Sequence, residues 1–170
     1  MKKINTKLVV TVGLLVAIHI ILSRFLSINA WNIKIGFAFV PVFIAAWLYG
    51  PVPAARGGGL GDFLGAILFP IGPYCPGFTL SCALTGVIFG VLLHKEQTLP
   101  RIVCAVVLNQ FGVSLLLTSL WISILYGSPY QALLVTRVVQ AALLTAVELC
   151  TITVLNRSTV VLYRQLTRAA

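Results

Sequence analysis

The sequence predicts an all-α integral membrane protein of six transmembrane helices, with both termini in the cytoplasm. Three observations lead there. Hydrophobic residues fill 59% of the 170 positions and charged residues 9%, against about 25% charge in soluble domains. The apolar runs are continuous rather than alternating, so a β-barrel is excluded and helices remain as the structure that satisfies its own backbone in lipid. At about 20 residues per crossing there is room for six spans and no separate soluble domain, so residues 1–170 are read as one membrane domain.

The first span is expected over about 8–23. Its basic head, Lys2, Lys3 and Lys7, resembles a signal peptide, but no small-x-small cleavage site follows, and it is read as a span. The uncharged run between Lys7 and Arg24 is at the short limit for a crossing and implies thinned lipid or snorkelling ends. Gly13 and Ala17 give this helix a small-residue surface that another helix can approach closely. The second span is expected over 35–49 and the third over 54–69. In the third, GGGLGDFLGA, Gly57, Gly61 and Gly65 recur every fourth residue, a spacing for helix contact.

Residues 63–93 carry no charge, yet FPIGPYCPGFTLS interrupts them with Pro70, Pro73 and Pro76 and with Gly72 and Gly77. Each proline removes a backbone donor and clashes with the preceding turn, so the run is two helices with an ordered connection. A spacing of three matches a turn of polyproline II, which is stiff. At this point a plug, a hinge and a ligand clamp all remain open. The fourth, fifth and sixth spans are expected at 77–93, 102–126 and 130–156 or a little beyond.

With the N-terminus inside, Lys2, Lys3, Lys7, Arg56, Lys95, Arg101, Arg157, Arg164 and Arg168 fall on the cytoplasmic side, while Arg24 and Lys34 fall outside. This bias sets the orientation. It places the proline loop outside, beside RFLSINAWNIK at 24–34 and YGSP at 126–129. The net charge of +9 needs no nucleic acid, since basic ends facing anionic lipid account for it.

Polar residues within spans are expensive, which makes Asp62, Arg137 and Glu148 candidates for function or pairing. Arg137 and Glu148 share a helix face about three turns apart, too far to pair, and Gln140 flanks the same stripe. Asn109, Gln110, Ser114, Thr118 and Trp121 form a second stripe. For Asn109 with Arg137 a cavity is favoured, because an amide and a guanidinium in the membrane both need partners. Ser114 and Thr118 are read as bonding back to helix carbonyls. Asp62 is read two ways, as an acceptor for a ligand or as a tether for a neighbouring helix. Cys75, Cys82, Cys104 and Cys150 show no CxxC pairing and are read as small apolar residues, Cys75 alone being accessible. No metal cluster, phosphate-binding loop, dinucleotide fingerprint or nucleophile elbow is present, so neither a cofactor nor catalysis is expected.

RFLSI at 24–28, KIGFAFVPVFIAAWLYGP at 34–51, GDFLGAILFPIGPYCPGFTLS at 61–81, LWISILYG at 120–127 and the Thr136–Arg137 pair together resemble the FolT family. These are the folate-specific substrate-binding (S) components of energy-coupling factor (ECF) transporters. The resemblance covers nearly the whole chain, although ARGGG at 55–59 is more glycine-rich and more basic than the family pattern. It implies a six-helix protein of the bacterial plasma membrane that captures folate from outside. Delivery would follow by tipping over while docked on a transmembrane T component driven by two cytoplasmic ATPases.

The resemblance also implies that the first and third loops are gates, with Pro70, Pro73, Pro76 and Gly77 in a stiff lid, and that Gly13 and Ala17 are the docking surface. The residues agree in kind. Arg24, Lys34 and Arg137 suit a ligand bearing carboxylates. Trp31, Tyr74, Phe78 and Trp121 can stack a flat ring, with interface anchoring the rival for each. Asp62, Asn109 and Gln140 offer hydrogen bonds to its edge, and Gly72 belongs to the same loop. Two alternatives stay open: an S component for another heteroaromatic vitamin or base, and an intramembrane enzyme using Asp62, His19 and Glu148.

Overall fold

The computed structural model describes the backbone of residues 6–30 and 33–169 and the side chains of residues 6–27 and 36–157. The helices are α1 (Thr6–Arg24), α2 (Phe39–Tyr49), α3 (Pro51–Leu68), α4 (Pro76–Leu93), α5 (Leu99–Val107), α6 (Thr118–Tyr126) and α7 (Tyr130–Ala169). A π-helical segment, Leu108–Leu117, joins α5 to α6. Leu99 to Tyr126 therefore runs as one rod, and the described residues form six rods. Four of them, Thr6–Arg24, Pro76–Leu93, Leu99–Tyr126 and Tyr130–Arg157, are long and apolar enough to cross a bilayer. The α2 helix has 11 residues, and α3 is diluted by Arg56, Asp62 and its glycines.

Chain breaks follow the local chemistry. Gly50 ends α2 at φ 84°, in the left-handed region that favours glycine, and Pro51 opens α3 where a missing N–H costs nothing. Gly127, at φ 65°, caps α6 in the same region and Pro129 follows. The second span was expected from residue 35, but α2 begins at Phe39. The preceding residues instead form an antiparallel hairpin of β1 (Ile28–Ala30) and β2 (Ile33–Ile35), with Ile28 opposite Ile35 and Asn29 opposite Lys34. The β-branched Ile28, Ile33 and Ile35 favour a pleated strand over a helix start.

The glycines of α3 serve two neighbours. A Cβ on Gly61 would lie 2.7 Å from the His19 ring and one on Gly65 3.0 Å from Arg24 Nε, so the expected every-fourth stripe faces α1. On the other side, a Cβ on Gly58 would lie 2.8 Å from the Cys82 carbonyl, and one on Gly86 of α4 2.6 Å from the Ala54 backbone. Backbones this close leave no room for side chains. Near the α2–α3 and α4–α5 connections the interior is filled by Val42, Phe43, Ala46, Ala54, Phe89, Leu93, Ile102, Val106 and Ile152. Phe43 and Phe89 meet edge to face at 6.2 Å. Toward the proline loop the bundle is hollow.

Candidate binding cavity

A cavity of about 600 Å³ occupies that half, within the range of about 300–1,000 Å³ typical of small-molecule sites. Ile71, Gly72, Pro73, Tyr74 and Cys75 form part of its wall, and Gly36 and Ala38 before α2, together with α1 through α4, the π segment, α6 and α7, supply the rest. The loop between α3 and α4 is tied at both ends. Phe69 packs edge to face on Phe25 at 5.1 Å, and Tyr74 packs on Phe63 at 5.9 Å.

Near the loop, Asp62 joins three helices. Its carboxylate lies 3.6 Å from the Arg24 guanidinium and accepts a 3.0 Å hydrogen bond from the Thr79 hydroxyl, which lies 3.2 Å from the Tyr74 hydroxyl. Arg24 also donates to the Asp62 backbone carbonyl at 3.4 Å. Of the two readings of Asp62, the tether is observed directly, although the residue also lines the cavity.

At the deep end, Glu148 is fully buried and accepts from Asn109 Nδ2 at 3.0 Å and from Gln110 Nε2 at 2.7 Å. Consecutive residues of an α-helix point about 100° apart. The π-helical segment turns less per residue, which brings both amides toward one carboxylate. Thr85 Oγ1 donates to Asn109 Oδ1 at 2.8 Å.

Arg137 also lines the cavity, buried and donating through Nη1 to Ser119 Oγ at 3.1 Å. Its Nε has no hydrogen-bond partner among the described residues. The sequence holds three carboxylate side chains, and each is engaged elsewhere: Asp62 with Arg24, Glu96 with Arg101 at 3.0 Å, Glu148 with the two amides. Arg137 is thus a cavity-lining guanidinium without a carboxylate partner from its own side chains. Buried charges are ordinarily paired.

Of the residues singled out in the sequence, Arg24, Asp62, Gly72, Pro73, Tyr74, Phe78, Asn109, Arg137 and Gln140 line the cavity. The Lys34 side chain and Trp31 lie outside the described residues. Trp121 does not line it: its ring occupies the space a Cβ on Gly77 would take, and its indole N–H is buried without a described partner. The expectation counted an α-helical phase from Gln110 to Trp121, and the intervening π turns shift that phase toward α4. Pro76 and Gly77 belong to the first turn of α4 rather than to the loop, and Pro70 is absent from the cavity wall. Gly13 and Ala17 are exposed, with nothing within 4 Å of a Cβ on Gly13. Cys104 and Cys150, expected to be buried, are exposed on the helix surfaces, whereas Cys75 and Cys82 line the cavity.

The sequence reading missed His19, Phe39, Val42, Ile122 and Tyr126 as wall residues. Thr118 does bond back to a helix carbonyl, that of Val113 at 3.1 Å, and both it and Ser114 also line the cavity. The four-residue recurrence of Gln110, Ser114, Thr118, Ile122 and Tyr126 was available as a signal.

A family model described as the ECF-type riboflavin transporter, S component, matches residues 3–167. The chain belongs to the S-component family of ECF-type transporters. With four helices long and apolar enough to cross a bilayer, this S component is a multi-pass protein of the bacterial cell membrane. It is 37% identical over 145 residues to the folate transporter FolT of Clostridium novyi (strain NT), covering 85% of this chain and 83% of that one. The folate transporter FolT of Leuconostoc mesenteroides is 27% identical over 131 residues, covering 76% and 70%. A crystal structure of FolT bound with folic acid matches with a TM-score of 0.86 at 30% identity, over 91% of this S component and 95% of that chain. The two relatives and the solved structure carry the likeness to folate-specific S components that the sequence motifs show.

Proposed function

We propose that this S component is the folate-binding subunit of an ECF-type importer, a single membrane domain over residues 1–170 with six crossings and both termini in the cytoplasm. The observation that carries the reading is the cavity-lining Arg137 guanidinium, which has no carboxylate partner among the side chains of its own chain. A ligand that combines a flat heteroaromatic ring with carboxylates supplies that partner and fills a partly apolar space. Similarity to FolT proteins and to a structure holding folic acid supports the same ligand. The S component binds with high affinity and performs no catalysis; a transmembrane T component and two ATPase subunits supply transport energy. Arg24, Asp62, Gly72, Tyr74, Phe78, Asn109, Arg137 and Gln140 make up the binding wall, and the loop carrying Pro70 and Pro73 acts as the lid. The exposed Gly13 and Ala17 face is where the T component docks.

A second reading, riboflavin binding, is favoured by the description of the matching family. The two are separated by the molecule that co-purifies with the protein from the membranes of a prototrophic bacterium. Absorption and mass should identify a folate. A flavin recovered in its place, with the yellow colour of the oxidised isoalloxazine, overturns the folate reading.

A further inference from the structure

Glu148 is the deepest charged side chain of the bundle and no part of the cavity surface, yet it binds two residues that are. A carboxylate offers acceptors only, so both amide NH₂ groups must face it, and the orientations of Asn109 and Gln110 follow from their partner. Each NH₂ spends one N–H on Glu148, and the carbonyl oxygen of each amide is turned away from the carboxylate. Asn109 Oδ1 accepts from Thr85 Oγ1, but that hydroxyl has a second acceptor 3.1 Å away in the Ser81 carbonyl. Its single hydrogen can serve Ser81 when a ligand takes Asn109. Gln110 lines the cavity, and its Oε1 is buried with no hydrogen-bond partner among the described residues. An orphaned buried acceptor is costly to leave unmade. A donor arriving at the deep end would supply the partner that Oε1 lacks.

We propose that Glu148 acts as a positioning residue for ligand selectivity: by holding both amide nitrogens, it fixes which way the two amides face and leaves the deep end of the cavity with an unmet acceptor in Gln110 Oε1. Such an acceptor selects a heteroaromatic edge that carries an amino group beside a ring N–H and disfavours an edge flanked by carbonyls. The inference rests on the folate reading and extends it. The pterin ring of folate presents an amino group next to a ring N–H. The pyrimidine edge of a flavin presents one N–H between two carbonyls, which would face the amide oxygens and repel them.

The test compares folate with 2-desamino-2-methylfolate, in which a methyl replaces the amino group, by equilibrium binding to the full-length purified protein. The parent should prefer folate by roughly tenfold or more, the scale of one buried hydrogen bond. In Glu148→Gln an NH₂ replaces one of the two oxygens that Asn109 and Gln110 use separately, so one of these amides meets a donor and must turn its own NH₂ away. The folate preference should then fall toward unity, because folate loses far more affinity than the analogue. Gln110→Met removes the acceptor directly and should do the same, which keeps the test decisive where Glu148→Gln is not monodisperse. A merely structural carboxylate would weaken both ligands in proportion, and an unchanged preference in the variants, or none in the parent, overturns the inference alone. Failure of the parent to bind folate at all overturns the folate reading and the inference with it.

Discussion

Replacing Arg137 by Ala is expected to weaken folate binding by about 1–3 kcal/mol, or roughly 5- to 150-fold, while leaving a monodisperse, helical protein. The magnitude follows from what the substitution leaves behind. Arg137 is 4% exposed, its described side-chain partner is Ser119, and no carboxylate of the chain neutralises it. In a complex with folate, the ligand carboxylate would give up its water to meet this guanidinium, and charge-assisted pairs of this kind are about twice as strong as neutral hydrogen bonds. With Ala in place, the carboxylate enters a largely apolar wall with its charge unmet. Ser119→Ala should cost less, since Arg137 keeps its charge and its reach into the cavity. Equal folate affinity in parent and Arg137→Ala, measured by isothermal titration, would remove Arg137 from the site and with it the main chemical argument for an anionic ligand.

Ala17→Trp is expected to abolish folate uptake in cells that supply the T component and the ATPases, with folate binding by the purified protein unchanged. Ala17 lies on the outward side of α1, and Gly13 one turn earlier has nothing near it. An indole there disturbs nothing inside the bundle, because the residues of α1 that pack inward are Leu15, His19 and Ser23. It would hold an approaching helix several ångströms away and forfeit the dispersion contacts of a close crossing. Binding and transport are thereby separated in one variant. Normal uptake at normal expression would move the docking surface to another helix, and lost binding would show that α1 shapes the cavity through this face.

These two residues illustrate what can be read from sequence in such a protein. A polar group in a hydrophobic span is costly wherever it sits, so Arg137, Asp62, Asn109 and Glu148 stood out before any contact was known. Prolines and glycines punctuate helices by local sterics, and the rods therefore begin and end near their expected places. Three kinds of information were not local. The hairpin Ile28–Ala30 with Ile33–Ile35 depends on pairing between segments too short to show a periodicity. The π-helical segment changes the phase of everything after it, which is why Trp121 turned from the cavity to Gly77.

The third kind concerned partners. Eleven residues separate Arg137 from Glu148 on one helix, and their sequence spacing alone left Glu148 without an assignment. The fold brings two consecutive amides of another rod onto it. Asp62 likewise could be weighed as ligand acceptor or tether, and only the placement of Arg24 and Thr79 shows it holding α1 and α4 together.

Titration of the ligand-free, purified protein with folate, repeated in the presence of excess riboflavin, tests the central claim most directly. Saturable binding of one folate per chain, undisturbed by riboflavin and weakened in Arg137→Ala, is expected. Saturable binding of riboflavin with no heat or fluorescence change on adding folate would contradict it.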